Sequence, residues 1–238
     1  MANVLITGGS RGIGAACVRA FCKQGDRVAF IYRQAEECAK ALSVETGAIA
    51  IQADVSNPDQ AAEAVARAER ELGGLDVLVN NAGIAQIKLF DALTDEDWRR
   101  MIDVNLGGAF YITRAAARGM ITKHTGRIIN IGSMWGKTGA SCEVHYSAAK
   151  AGLRGFTMAL ARELGPSQIT VNCIEPGVIE TDMNRALDAA TKEALCDETP
   201  LCRIGKPEEV AAVVCFFASD AASFITGQVL GVDGGYAI

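Results

Sequence analysis

The chain has 238 residues, half of them apolar and 21% charged, with 25 glycines and a formal net charge of −5. That length suits one α/β domain, or two small ones, and lets the chain bury roughly three quarters of its extended surface. The acidic balance leaves no basic footprint for nucleic acid or an anionic membrane, and no run approaches the roughly 18 apolar residues of a membrane span.

Eight scattered cysteines without a CxxC pair, beside only His124 and His145, point to reduced thiols and to no metal site. Met1 leads at once into a β-branched run at residues 4–7 without the basic and long apolar regions of a secretory leader, so a cytoplasmic location is expected. This first strand runs into Thr7-Gly8-Gly9-Ser10-Arg11-Gly12-Ile13-Gly14 and then a helix over 12–23. Glycines in such a turn permit a tight reversal, close approach of backbone to a pyrophosphate and close packing of helix on strand, while the helix amino end offers free N–H groups to phosphates. The expected cofactor contacts here are Gly8, Ser10, Arg11, Gly12, Ile13 and Gly14.

A second strand over 27–32 ends at Tyr32-Arg33, where an NAD enzyme would carry an acid for the ribose 2′-hydroxyl. Arg33 and Arg11 instead suit a 2′-phosphate, which favours NADPH/NADP+; the alternative is a pair of solvated surface arginines. A helix over 35–45 and a strand over 48–53 precede Asp54-Val55. The Asp54 carboxylate is either an acceptor for the adenine amino group or an ordinary turn starter before Asn57-Pro58.

A helix over 58–72 and a strand over 76–80 lead to Asn80-Asn81-Ala82-Gly83, another strand-end turn. The next helix, over 95–117, carries Asn105 among Met101, Ile102, Val104 and Leu106, where a polar amide needs a helix carbonyl or an ordered water as partner. A fifth strand over 127–131 places Ser133 at its carboxyl end, either to hydrogen-bond a carbonyl undergoing reduction or as a plain turn residue. Tyr146 and Lys150, four apart, share one face of a helix whose body spans 147–164. An unperturbed tyrosine titrates near 10, so a neighbouring cation is what equips it as general acid in reduction and general base in oxidation.

A strand over 170–174, an irregular stretch over 175–202, a helix over 207–218 that opens on Pro207-Glu208-Glu209, and a strand over 229–232 complete the chain. Seven strands alternating with helices predict one doubly wound Rossmann-type α/β domain, a seven-stranded parallel sheet with helices on both faces. Its dinucleotide-binding half is expected over about 1–130 and its catalytic and substrate half over about 131–238, with a lid over about 180–202.

Taken together, TGGSRGIG at 7–14, NNAG at 80–83, Asn105, Ser133, YSAAK at 146–150 and PGVIETDM at 176–183 resemble the short-chain dehydrogenase/reductase family over essentially the whole chain. The resemblance implies a catalytic tetrad of Asn105, Ser133, Tyr146 and Lys150, with the lysine also holding the nicotinamide ribose and the asparagine anchoring a water in a proton relay. It further implies that Asn81, Ala82 and Gly83 line the cofactor, that Pro176, Gly177, Val178, Ile179 and Thr181 embrace the nicotinamide, and that the protein is a homotetramer built partly from the helices after the fourth and fifth strands. Within the family, GRIINIGS, YSAAKAG, ARELG, IETDM and ITGQVLGVDGG are most similar to bacterial 3-oxoacyl-acyl-carrier-protein reductases. This implies an acyl-thioester substrate, with acyl carrier protein as a partner. Glu175, where relatives usually carry a small or apolar residue, and the bulky Met134-Trp135 and Cys142 depart from that pattern, as substrate-loop or packing residues. The alternatives are a dehydrogenase of another hydroxylated small molecule and a nucleotide-sensing regulator without chemistry.

Overall fold

Val4, Leu5 and Ile6 are all fully buried, a continuous apolar run of the kind found in a central strand covered on both faces. In the computed structural model, which describes residues 1–184 and 188–238, this run is β1 (Asn3–Thr7), with α1 (Gly12–Lys23), β2 (Arg27–Tyr32), α2 (Glu36–Thr46), β3 (Ile49–Gln52), α3 (Pro58–Leu72) and β4 (Val77–Asn80) following. Then come α4 (Asp95–Ile102), α5 (Gly108–Lys123), β5 (Gly126–Ile131), a short α6 (Trp135–Thr138), α7 (Val144–Leu164), β6 (Ile169–Pro176), α8 (Ala189–Asp197), α9 (Pro207–Ala218) and β7 (Val229–Val232).

The strands form one seven-stranded sheet in the order β3-β2-β1-β4-β5-β6-β7, and every pairing is parallel. The order reverses direction beside β1, which opens a crevice at the carboxyl ends of β1 and β4. One face of the sheet packs Val4, Ile6, Phe30 and Ile174 against Cys17 and Phe21 of α1 and Val210, Val214 and Phe217 of α9. The other packs Leu5, Leu78, Ile128 and Val171 against Ala64 and Ala68 of α3, Ile112 and Ala116 of α5 and Ala161 and Leu164 of α7.

Local signals explain the helix starts. Asn57 accepts from the N–H groups of Asp59 (3.0 Å) and Gln60 (3.1 Å) ahead of Pro58, and the Lys206 N–H donates to Glu209 at 2.7 Å ahead of Pro207. A polar ladder crosses the second face: Asn80 Nδ2 donates to Thr113 Oγ1 (2.8 Å) and Asn130 Oδ1 (2.9 Å), and Asn130 Nδ2 donates to Thr157 Oγ1 (2.9 Å). Asn80 is thus more than a turn residue; it fixes α5 and α7 against the sheet just below the crevice.

Three expectations change. The helix expected over 95–117 is divided by a π turn, Asp103–Gly107, and its second part continues to Lys123. The stretch expected to be irregular contains the end of β6, through Pro176, and α8. α8 buries none of its residues, so it carries no apolar stripe for periodicity to detect. The helix that bears Tyr146 begins three residues earlier than expected, at Val144. Part of the lid expected over 180–202, residues 185–187, lies outside the described residues.

Candidate active site

A cavity of about 720 Å³ lies along the carboxyl ends of β1, β2, β4, β5 and β6, within the usual size of a ligand pocket. Of the residues expected to bind cofactor or to act on substrate, all but Gly14 line it. Gly14 instead makes the turn possible: a Cβ there would sit 2.2 Å from the Gly8 carbonyl oxygen and 2.6 Å from Asn81 Nδ2. Asn81 likewise holds the turn, because its Nδ2 donates to the carbonyls of Thr7 (2.9 Å) and Gly8 (3.1 Å). Thr7, whose role the sequence did not disclose, closes the other side by accepting from the N–H groups of Asn81 and Ala82, both at 2.9 Å.

These residues fit a dinucleotide. Among the described residues no side chain caps α1, so its first N–H groups, at Gly12 and Ile13 on the cavity wall, are available to an anion. Beyond the turn, Arg33 Nη1 lies 3.2 Å from Asp54 Oδ2 and Arg11 Nη1 lies 3.7 Å from Asp182 Oδ2. Asp54 lines the cavity, and its Oδ1 accepts from the Ser56 N–H at 2.9 Å and the Ser56 hydroxyl at 2.6 Å, as a turn starter does. These Ser56 bonds and the neighbouring Arg33 outweigh partial burial and keep its carboxyl below the usual range.

At the far end, Asn105 lies in the π turn and is buried. Its Oδ1 accepts from the Ile84 N–H (3.2 Å), and its Nδ2 donates to the carbonyls of Ile84 (3.0 Å) and Met101 (3.1 Å). The side chain therefore has the helix carbonyl anticipated for it and a second partner in the loop after β4. A Cβ on Gly83 would approach Asn105 Oδ1 to 2.6 Å and Lys150 Nζ to 3.6 Å, so the glycine keeps that floor open.

Lys150 Nζ, almost fully buried, donates to the Ile131 carbonyl at 2.8 Å and lies 5.7 Å from the centre of the Tyr146 ring. Burial brings its pKa down to about 8, against a small opposing effect of Cys173. Burial pushes the Tyr146 phenol up to about 12; a hydrogen bond with Ser133 opposes this and the Glu143 charge adds to it. The Ser133 Oγ accepts from the Trp135 N–H at 3.2 Å, which leaves its own proton free to donate. His145, next in sequence to the tyrosine, turns away and bonds Gln86 Oε1 through Nε2 at 3.0 Å.

Of the departures from the bacterial reductase pattern, Trp135 lines the cavity and Cys142 does not. Glu175 is buried behind it, where its Oε2 accepts from Arg154 Nη1 at 2.5 Å. It is thus a packing residue with a partner. Breaking such a pair strands a buried charge: Arg154→Met should lower the unfolding free energy by about 3 kcal/mol, and adding Glu175→Leu should recover most of it. Urea unfolding measures both, and a single variant as stable as the parent would contradict the pairing. Sequence reasoning also missed Ile84, Glu143 and Leu195 on the cavity wall; only Glu143, three residues before the tyrosine, carried a chemical signal.

The family model described as "Enoyl-(Acyl carrier protein) reductase" matches residues 8–237. An acetoacetyl-CoA reductase of Shinella zoogloeoides is 44% identical over 97% of this chain and 96% of its own length, and one of Rhizobium meliloti is 45% identical over the same shares. A 3-oxoacyl-acyl-carrier-protein reductase of Chlamydia trachomatis is 43% identical over 99% of this chain and 97% of its own. Among the described residues no helix is long and apolar enough to cross a membrane.

Proposed function

The chain belongs to the short-chain dehydrogenase/reductase family, and on that footing we propose that it reduces the ketone of a 3-oxoacyl thioester to a secondary alcohol with NADPH. The observation that carries the reading is that Ser133, Tyr146 and Lys150 line one cavity with the glycine turn and the Arg33 end of β2. The names of the relatives, acetoacetyl-CoA reductase and 3-oxoacyl-acyl-carrier-protein reductase, support the substrate class.

The nicotinamide, when bound, supplies hydride to the ketone carbon. The chain's residues manage the oxygen. Ser133 donates its hydroxyl proton as a hydrogen bond to the carbonyl, Tyr146 transfers its phenolic proton to the oxygen as charge develops, and Lys150 stabilises the phenolate left behind. With one of its three N–H groups on Ile131, Lys150 has others for the nicotinamide ribose. Asn105 anchors the water relay that returns a proton from solvent. Gly8, Ser10, Gly12, Ile13, Val55, Ala82, Gly83 and the segment from Pro176 to Thr181 hold the dinucleotide, and Arg11 and Arg33 take its 2′-phosphate.

The protein is proposed to act in the cytoplasm as a homotetramer and to receive its substrate from coenzyme A or acyl carrier protein. The exposed apolar side chains Phe110 on α5 and Met158 on α7 support an interface there.

Steady-state assays with both cofactors on acetoacetyl-CoA, crotonyl-CoA, steroid ketones and polyols test this reading. The expected result is a kcat/KM on acetoacetyl-CoA with NADPH far above the others; preference for a polyol or steroid overturns it. For the cofactor, Arg33→Ala should raise the Kd of NADPH by about tenfold or more while changing that of NADH little, as loss of a charge-assisted phosphate contact requires. Equal effects on the two in a fluorescence titration would remove Arg33 from that role.

A further inference from the structure

Three of the described carboxylates line the cavity, and two of them, Asp54 and Asp182, stand beside Arg33 and Arg11; the third is Glu143. Glu143 stands immediately before α7 and three residues before Tyr146, and it lines the cavity with Tyr146, Ser133 and Trp135. Its backbone is fixed, the N–H donating to the Ala140 carbonyl (3.3 Å) and the carbonyl accepting from the Ser147 N–H (2.8 Å). Its half-buried carboxylate, in contrast, has no hydrogen bond or ion pair among the described residues. Other carboxylates of the site and its surroundings are partnered: Asp54 by Arg33, Glu175 by Arg154 and Asp97 by Lys88. A carboxylate taken partly out of water without a donor is costly, and a ligand that brings the donor relieves that cost. Its neighbourhood to the reacting group is close enough for its charge to help hold the Tyr146 phenol protonated.

This inference rests on the 3-oxoacyl thioester reading. The 3-oxoacyl group itself carries no N–H or O–H to offer. The first donor beyond the thioester sulfur, in a pantetheine-type arm, is an amide N–H. We propose that Glu143 is a specificity-determining residue that accepts a hydrogen bond from this amide and so selects thioesters with an amide-bearing arm over simple thioesters.

The test compares kcat/KM for the acetoacetyl thioester of N-acetylcysteamine with that for S-butyl acetothioacetate, which lacks the amide, in the parent, Glu143→Gln and Glu143→Leu. The parent should favour the amide-bearing thioester by about tenfold or more, the value of a hydrogen bond to a charged acceptor. Glu143→Leu should bring the ratio close to one, and Glu143→Gln, which keeps an acceptor oxygen and the side-chain shape, should retain part of it. NADPH titration of each variant confirms a folded cofactor site. Acetoacetyl-CoA and acetoacetyl-acyl carrier protein, which carry the same arm, should both lose kcat/KM to a similar degree in Glu143→Leu, and the higher kcat/KM of the parent identifies which carrier supplies the arm. An unchanged ratio in Glu143→Leu overturns this inference alone. A parent that reduces other ketones but neither thioester overturns the substrate reading and this inference with it.

Discussion

Tyr146→Phe should lower kcat for ketone reduction by about 10²- to 10⁴-fold, the usual contribution of a positioned general acid. The phenol is the natural donor because burial holds its pKa up near 12, so it is protonated throughout the neutral range and gives up its proton only as the carbonyl oxygen becomes basic. The Ser133 hydroxyl beside it favours the ionised form and eases that transfer. Phenylalanine keeps the ring, which packs with Met101 and Ala149, so the thermal midpoint and the Kd for NADPH should change little. NADPH consumption and a thermal melt on the same preparation separate the two effects. Retention of more than about a tenth of the parental kcat would assign the proton to another group.

Lys150→Met should cost about 10²-fold or more in kcat, comparable to removing one preorganised stabiliser of transition-state charge, and it should also weaken NADPH binding. Its pH dependence is the sharper signature. Burial lowers the ammonium pKa to about 8, so the lysine is cationic below that value and neutral above it. Reduction in the parent should therefore decline as pH rises through about 8, since the phenolate formed on Tyr146 then loses its cation. In Lys150→Met that limb should be missing from an already slow reaction. An unchanged limb in the variant would show that another group titrates there.

Much of this was legible in the sequence because it depends on local chemistry. The sheet strands announce themselves as short β-branched runs, and α3 and α9 carry Pro58 and Pro207 at their first positions. The glycine turn, Ser133 at a strand end and the tyrosine-lysine spacing each lie within one supersecondary unit, so their meeting at one crevice follows from parallel topology. What remained hidden depends on contacts between distant segments. Glu175 reads as a departure from the family pattern until β6 is laid beside α7, where Arg154 meets it. The π turn at Asp103–Gly107 shifts the helical phase without changing composition, so the two parts of the segment look like one helix. Thr7, at the end of the first strand, and Asn81, in the turn after the fourth, are joined across the two strands. Glu143, three residues before Tyr146, carries a chemical signal, but only the fold places it on the cavity wall.

The central claim, that hydride goes to a ketone carbon while Tyr146 protonates the oxygen, is tested most directly with NADPH deuterated at the transferable C4 position. Acetoacetyl-CoA is the substrate, and the product is read by mass spectrometry and NMR. The account predicts 3-hydroxybutyryl-CoA with one deuterium at C3 in the parent enzyme and almost no labelled product in Tyr146→Phe. A product without deuterium at C3, or equal labelling rates in the parent and Tyr146→Phe, would contradict it.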